Sequence, residues 1–570
     1  MRGSVRLSAC VREVPQSRGR LSGVVGAIRV WRGLEVPAFM SIHWPILRAL
    51  ARHPFRTAVV DDRKTYKAIE ILIGAWHLAG HLAPRCQSKT IGLLLPTSGA
   101  FPIAALAGWW LGKTVVPINY LLKPEEMNYV VRDCGCDTVV TVQPMLDFLG
   151  ATADACLYAP QGGGGGPPTV KHLVKLEDVS FKGMPDPIWP ARAADDDLAV
   201  LLYTSGTSGK PKGVMLSHGN LSANVRQVRD WARFTREDVV FGVLPQFHSF
   251  GMTVLTLLPL TFGMKVVYTA RFVPHKVVKL IEEHKATIMI AIPSMYNAML
   301  HAKNATREAF VSARYVVSGG EPLPQVVFDG FRDRFGVTIN EGYGLTETGP
   351  VSNWCRPQEW KRGSVGKALP EMDQRIFDLE TGKELPPGRD GEVRMRGPNI
   401  MQGYFGKPEE TASVFDAEGF FRTGDIGRMD EDGSLYITGR LKEMLIVGGE
   451  NVFPREIEEV LNAHPSVKDS GVVGKHDPMR GEVPVAFVEM KEAGGEGSGP
   501  RAEHAEGAHA KMAFDEKDLI KWCRGKLAGY KVPDEIRVVD ALPRNPTGKV
   551  MRRELKKMVA ASNKEANAHA

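Results

Sequence analysis

YTSGTSGKPKGV, residues 203–214, follows directly on the apolar run Leu198 to Leu202 (LAVLL). It combines three glycines, four Ser or Thr hydroxyls and two lysines. A buried strand that breaks into glycines lets its backbone approach a ligand closely, and free amides together with hydroxyls can surround phosphate oxygens. The stretch therefore reads as a loop that cradles a polyphosphate. It is not the common GxxxxGK[ST] loop, because Thr204 stands where the first glycine belongs and Pro211 where Ser or Thr belongs. From about Thr57 onward, strand-like apolar runs alternate with amphipathic stretches, as in ARYVVSGGEPLP (313–324) and GVTINEGYGLTETGP (336–350). That alternation predicts α/β layers with parallel-rich sheets, in which ligands bind where strand ends open into loops. Three glycine-rich loops, at 204, 318 and 342, are expected to converge on one crevice.

A chain of 570 residues is too long for one core and divides into two to four folding units. Its 43% hydrophobic and 24% charged residues are ordinary for a soluble globular enzyme. The net charge of +7 is mostly local: residues 1–39 hold seven Arg and two Glu, so the body is near neutral and nucleic acid is not an expected partner. That basic extension fits a transit peptide or an upstream start before a native start at Met40, and the second reading is preferred. Seven cysteines show neither metal-binding spacing nor a disulfide framework, which points to a reducing compartment, taken here as cytoplasmic. Thr90 to Gly112 is uncharged over 23 residues. Pro96, Ser98, Gly99 and Pro102 interrupt it, so it predicts a buried strand IGLLL, a turn, and a helix from about Phe101 rather than a membrane span. Residues 162–166 are a flexible glycine loop, and residues 492–510, without hydrophobic anchors, are an expected disordered insertion.

Further motifs follow in order: LPQFHSFG (244–251), SGGEPLP (318–324), NEGYGLTETGP (340–350), FRTGD (421–425), GRLKEMLIVGGENVFPREIE (439–458) and PRNPTGKVMRREL (543–555). In this order and at these separations they resemble the adenylate-forming superfamily of acyl-CoA synthetases, adenylation domains and luciferases, from roughly Pro45 to Lys557. The resemblance implies a large N-terminal domain (40–441) of parallel-rich sheets layered with helices plus a small β-barrel-like part. A smaller mobile α+β lid (442–570) would follow it.

The implied reaction joins a carboxylate to the α-phosphate of ATP, so anions must meet, and positive charge and hydrogen-bond donors must supply most of the stabilisation. By resemblance, Thr204, Ser205, Gly206, Thr207, Ser208 and Gly209 cover the β- and γ-phosphates, with Lys210 and Lys212 as flanking charges. Tyr343 stacks on adenine, Gly319, Gly320 and Glu321 line its edge, and Asp425 accepts hydrogen bonds from the ribose hydroxyls. Thr346 binds the α-phosphate, and Glu347 holds Mg2+, with Thr204 as a second ligand. A carboxylate beside a triphosphate is repelled unless a cation lies between them. His248 gates the acyl pocket, and Gly344, having no side chain, leaves an acyl tunnel open. In the lid, Arg440 contacts the ribose or phosphate, Lys442 is the hinge, and Lys549 reaches the α-phosphate and substrate carboxylate. The loop Val447 to Asn451, with Gly448 and Gly449, swings in to open a path for a thiol. HPSVKD (464–469) matches an acyltransferase pattern by chance and is assigned to structure.

The expected activity is a fatty acyl-CoA synthetase acting on medium- or long-chain acids, with ATP, Mg2+ and CoA. The alternative is a ligase that delivers acyl-AMP to a separate carrier protein. A non-catalytic nucleotide-binding relative would be expected to lose Lys549 or Glu347, and both are present. The expected state is a monomer or homodimer with no transmembrane span and at most peripheral membrane contact.

Overall fold

The computed structural model describes residues 41–150, 153, 157, 170–205, 210–491, 515–544 and 550–568. The extension 1–39, the loop 162–166 and the insertion 492–510 lie outside the described residues, as do Gly206 to Gly209 and Lys549.

Among the described residues the named strands form four sheets. Two large ones carry the body. The first orders Lys367–Ala368, Val351–Trp354, Asn340–Gly344, Tyr315–Ser318, Ile288–Ala291, Val239–Gly242, Lys265–Tyr268, Thr57–Val60 and Thr65–Lys67, and the pairs from Asn340–Gly344 through Thr57–Val60 are parallel. The second orders Gly403–Tyr404, Pro211–Ser217, Leu198–Ser205, Thr114–Pro117, Thr90–Leu94, Thr138–Thr141 and His172–Lys175. Its five strands from Leu198–Ser205 onward run parallel. Parallel strands covered on both faces read as unbroken apolar runs, and Thr90–Leu94 and Ile288–Ala291 are buried at every residue.

The 90–112 segment is a strand, Thr90–Leu94, and a helix, Ala100–Trp110, buried from Phe101 to Trp110. Trp109 Nε1 donates to the Ala199 carbonyl at 2.9 Å and Trp110 Nε1 to the Ile188 carbonyl at 3.0 Å, so the polar ends of both rings are satisfied inside the body. No helix among the described residues is long and apolar enough to cross a membrane.

Two expectations about loops are corrected. YTSGTSGKPKGV is not a loop through its length: its residues 203–205 and 211–214 are paired strand. Leu198–Ser205 and Pro211–Ser217 pair antiparallel, with Tyr203 opposite Gly213, Thr204 opposite Lys212 and Ser205 opposite Pro211. Its glycines and hydroxyls concealed a ladder that only the returning strand reveals. Likewise, Gly342 to Gly344 continue a strand instead of opening a loop. Asn340–Gly344 acquires an antiparallel partner, Val351–Trp354, with Gly342 opposite Trp354 and Tyr343 opposite Asn353.

The third sheet, Asp373–Phe377, Gly391–Arg396, Phe421–Met429 and Leu435–Arg440, is antiparallel and provides the small β part of the body. The smaller C-terminal domain contains the fourth sheet, built around the long hairpin Val467–Asp477 and Gly481–Met490. It has two cores of its own, one around Ile457, Leu461, Leu519 and Cys523, the other around Phe487, Leu555 and Val559. At the junction, Arg552 pairs with Glu443 at 2.9 Å and with Glu458 at 2.6 Å. His464 lies edge-on to Trp522 with ring centroids 5.1 Å apart, while Asp469 pairs with Arg544, so HPSVKD is a piece of packing. The described cysteines are buried and free.

Candidate active site

The hairpin is anchored from behind. Asp133, on the helix Pro124–Cys134, accepts from the Tyr203 hydroxyl at 2.6 Å and from the Tyr129 hydroxyl at 3.2 Å. The Lys210 ammonium lies 5.7 Å from the Tyr129 ring centroid. Lys212, directly across the ladder from Thr204, sits 5.1 Å over the Tyr404 ring and forms an ion pair with Glu410. Both lysines of the motif are thus placed beside the turn.

The Tyr343 hydroxyl donates to Asp425 Oδ2 at 2.6 Å, and Arg440 Nε meets Asp425 Oδ1 at 2.7 Å. Asp425 and Arg440 face each other across adjacent strands, and Asp425 is only 2% exposed. Each carboxylate oxygen retains a lone pair, so further acceptance from a diol is chemically open. Thr346 Oγ1 lies 3.3 Å from Ser249 Oγ, which joins NEGYGLTETGP to LPQFHSFG. Glu347 is held by its backbone, whose carbonyl accepts from Met401 N at 2.9 Å, and by its side chain, where Oε1 accepts from the Tyr404 hydroxyl at 3.0 Å.

Tyr343 and Glu347 are half-buried and Lys442 is exposed. Desolvation raises the Tyr343 pKa well above its ordinary value, helped by the Asp425 charge. It also raises the pKa of Glu347, despite the Tyr404 hydrogen bond and the Arg440 charge. A carboxylate in that position gains from a cation, and Mg2+ is commonly held by one or two carboxylates plus phosphate oxygens, so Glu347 fits the metal. Lys442, at the exposed rim, has its pKa lowered first by desolvation and then by Arg440.

A Cβ at Gly319 lies 3.1 Å from the Phe250 ring and 3.5 Å from the Gly342 carbonyl, so the 319 and 342 segments do converge. Gly320 is exposed at φ +84° and Glu321 is half-buried beside it. His248 caps the helix Ser249–Met252 through Nδ1, which accepts from Phe250 N at 3.4 Å, and partial desolvation lowers its pKa. Gly448 and Gly449 form the two-residue turn between Leu445–Val447 and Glu450–Val452, both at positive φ, the geometry that two-residue hairpins favour. They are exposed, and among the described residues no contact joins them to the groups above.

Gly344, read from the sequence as the opening of an acyl tunnel, has a backbone reason to be glycine. A Cβ there falls 1.8 Å from the Pro350 carbonyl oxygen, so glycine is required by the close approach of two backbones. The residues that sequence reasoning missed are Ser249, Tyr404 and Glu410. The signal for the last two was GYFGKPEET (403–411), an aromatic and an acid in a polar stretch far from the first motif.

Two family models match this chain: AMP-binding enzyme over residues 46–405, and AMP-binding enzyme C-terminal domain over residues 456–549. The chain belongs to the AMP-binding enzyme family. Among curated relatives, this AMP-binding enzyme is 32% identical to 4-coumarate–CoA ligase 5 of Oryza sativa subsp. japonica, over 93% of this chain and 96% of the relative. It is 31% identical to a long-chain-fatty-acid–CoA ligase of Bacillus subtilis, over 89% of this chain and 92% of the relative. The crystal structure of ATP-bound MatB from Rhodopseudomonas palustris is similar at 30% identity and a TM-score of 0.79, covering 91% of this chain and 99% of that one.

Proposed function

We propose that this AMP-forming acid–CoA ligase activates a medium- or long-chain fatty acid to acyl-AMP with release of pyrophosphate, then transfers the acyl group to CoA. The observation that supports the reading is that two groups of motif residues lie within electrostatic reach of each other. Glu347 is joined through Tyr404 to Lys212, and the Tyr343–Asp425–Arg440 cluster brings the Arg440 charge to bear on Glu347.

In this reading Asp425 takes the ribose hydroxyls, Tyr343 presents its ring to adenine, and Gly319, Gly320 and Glu321 border that ring. The backbone and hydroxyls of 204–209, with Lys210 and Lys212, hold the leaving pyrophosphate. Thr346 receives the α-phosphate, where its neighbour Ser249 offers a second hydroxyl. Glu347, with Thr204, would hold Mg2+, which supplies charge neutralisation between phosphate oxygens. Lys549 offsets the repulsion between substrate carboxylate and α-phosphate, and Arg440 contributes further positive charge. With domains bounded at 40–441 and 442–570, the lid turns about Lys442 and brings the Gly448–Gly449 turn in with the thiol.

The Bacillus relative supports a fatty acid, and the Oryza relative supports a second substrate class, a hydroxycinnamate such as 4-coumarate. Pyrophosphate release measured over a panel of fatty, aromatic and short acids, with and without CoA, tests the proposal. Highest turnover on C8 to C18 acids is expected, roughly tenfold or more above 4-coumarate given what an apolar pocket gains per buried methylene. Preference for 4-coumarate overturns the fatty acid assignment.

A further inference from the structure

Tyr404 belongs to neither the nucleotide cluster nor the hairpin, yet it touches a charged group from each of two separate motifs. Its hydroxyl donates to Glu347 Oε1 at 3.0 Å and its ring lies beneath the Lys212 ammonium at 5.1 Å. The residue is 8% exposed and its backbone is fixed. Gly403–Tyr404 pairs with the returning strand of the hairpin, Tyr404 opposite Val214, and Phe405 N donates to the Gly213 carbonyl at 2.8 Å. Tyr404 N donates to Thr411 Oγ1 at 2.9 Å, and that hydroxyl in turn donates to the Lys407 carbonyl at 2.8 Å. The position of the phenol is therefore set by the same ladder that sets Lys212.

We propose that Tyr404 is a positioning residue for metal-bound ATP, its hydroxyl orienting the Glu347 carboxylate and its ring seating the Lys212 ammonium. The inference rests on the reading of Glu347 as the metal-holding carboxylate. A carboxylate in a cleft can rotate about its last bond, and a hydrogen bond from a fixed donor to one oxygen selects a single orientation for the other. Groups that orient a metal-holding side chain affect metal affinity strongly although they never touch the ion. The ring acts on the other charge. A cation over an aromatic face keeps its charge while losing freedom, so Lys212 can shift from Glu410 to a phosphate oxygen without leaving its seat.

Two variants separate the two contacts. Tyr404→Phe keeps the ring and removes the hydroxyl, whereas Tyr404→Leu removes both. Mn2+ retention on the enzyme–ATP complex, followed by electron paramagnetic resonance, is compared with metal-free AMP binding and with the metal dependence of acyl-AMP formation. Tyr404→Phe is expected to weaken Mn2+ retention about tenfold and to raise the half-saturating metal concentration by the same factor, with AMP binding unchanged. Excess metal restores its rate. Tyr404→Leu should in addition raise the KM for ATP at saturating metal. Wild-type metal dependence in Tyr404→Phe overturns the proposal, as does an equal loss of AMP binding, which marks general disturbance of the fold. Adenylation by the wild type without any divalent metal overturns the assignment of Glu347 itself.

Discussion

Tyr343 and Asp425, 82 residues apart, meet at 2.6 Å, and the Tyr343 hydroxyl fixes a carboxylate that Arg440 grips from the other side. In the proposed function this bond orients Asp425 as the acceptor for the ribose hydroxyls. A hydrogen bond to a charged group contributes about 1.5–3 kcal/mol. Tyr343→Phe is therefore expected to raise the KM for ATP by roughly tenfold while keeping the ring, and Asp425→Ala by more, since it also removes the partner of Arg440. Steady-state kinetics in ATP check this. A KM unchanged in Tyr343→Phe contradicts it.

Gly344 is expected to tolerate no side chain. Its Cβ position lies 1.8 Å from the Pro350 carbonyl oxygen, closer than any side-chain adjustment can relieve. Gly344→Ala should lower the melting temperature sharply or prevent soluble expression, and Gly344→Trp should fail in the same way rather than shift chain-length preference. Thermal denaturation of Gly344→Ala decides it: a melting point within a few degrees of wild type contradicts the geometry.

Much of the fold could be read from pattern alone. Unbroken apolar runs such as Leu198 to Leu202 marked strands, and the proline and glycine breaks in 90–112 divided strand from helix. The ordered motifs brought forward Tyr343, Asp425, Glu347 and Arg440, which the structure gathers. What stayed hidden depended on antiparallel register. Nothing local in TSG or GYG shows which strand returns beside it, so the Thr204–Lys212 pairing and the Gly344–Pro350 contact could not be seen. Tyr404 was missed for the same reason, because its importance comes from partners at 212 and 347 rather than from its neighbours in sequence.

The two half-reactions are expected to separate genetically. Lys549→Ala should slow acyl-AMP formation about a hundredfold or more, the loss of a few kcal/mol of transition-state stabilisation, while supplied acyl-AMP and CoA still react at near the wild-type rate. Gly449→Leu should do the reverse. No atom lies within 4 Å of its Cβ position, so the side chain fits, and the strain of φ +88° is confined to an exposed turn. Single-turnover kinetics of each step test both variants, and equal slowing of the two steps by Lys549→Ala contradicts a rotating lid.

Acid should destabilise the body through His43 and His218, whose rings lie 5.9 Å apart. Burial lowers His43 to about 3, assisted by His218, and burial lowers His218 to about 4 against the pull of Asp197. The unfolded chain binds these protons near pH 6.5 and the folded chain does not. Stability is therefore fully present above pH 6.5 and falls as pH drops toward 4, by up to about 1.4 kcal/mol per pH unit for each histidine. His43→Gln should melt with a shallower pH dependence than wild type between pH 6.5 and 4, measured in parallel thermal scans. Equal slopes would show that other groups carry the acid response.

The most direct measurement of the central claim is a single turnover with α-phosphate-labelled ATP, Mg2+ and a long-chain fatty acid, first without CoA and then with CoA added. The account predicts one labelled acyl-AMP per enzyme with release of pyrophosphate, and its conversion to acyl-CoA and labelled AMP when CoA arrives. Labelled ADP with an acyl phosphate, or labelled acyl-AMP from 4-coumarate but from no fatty acid, contradicts it.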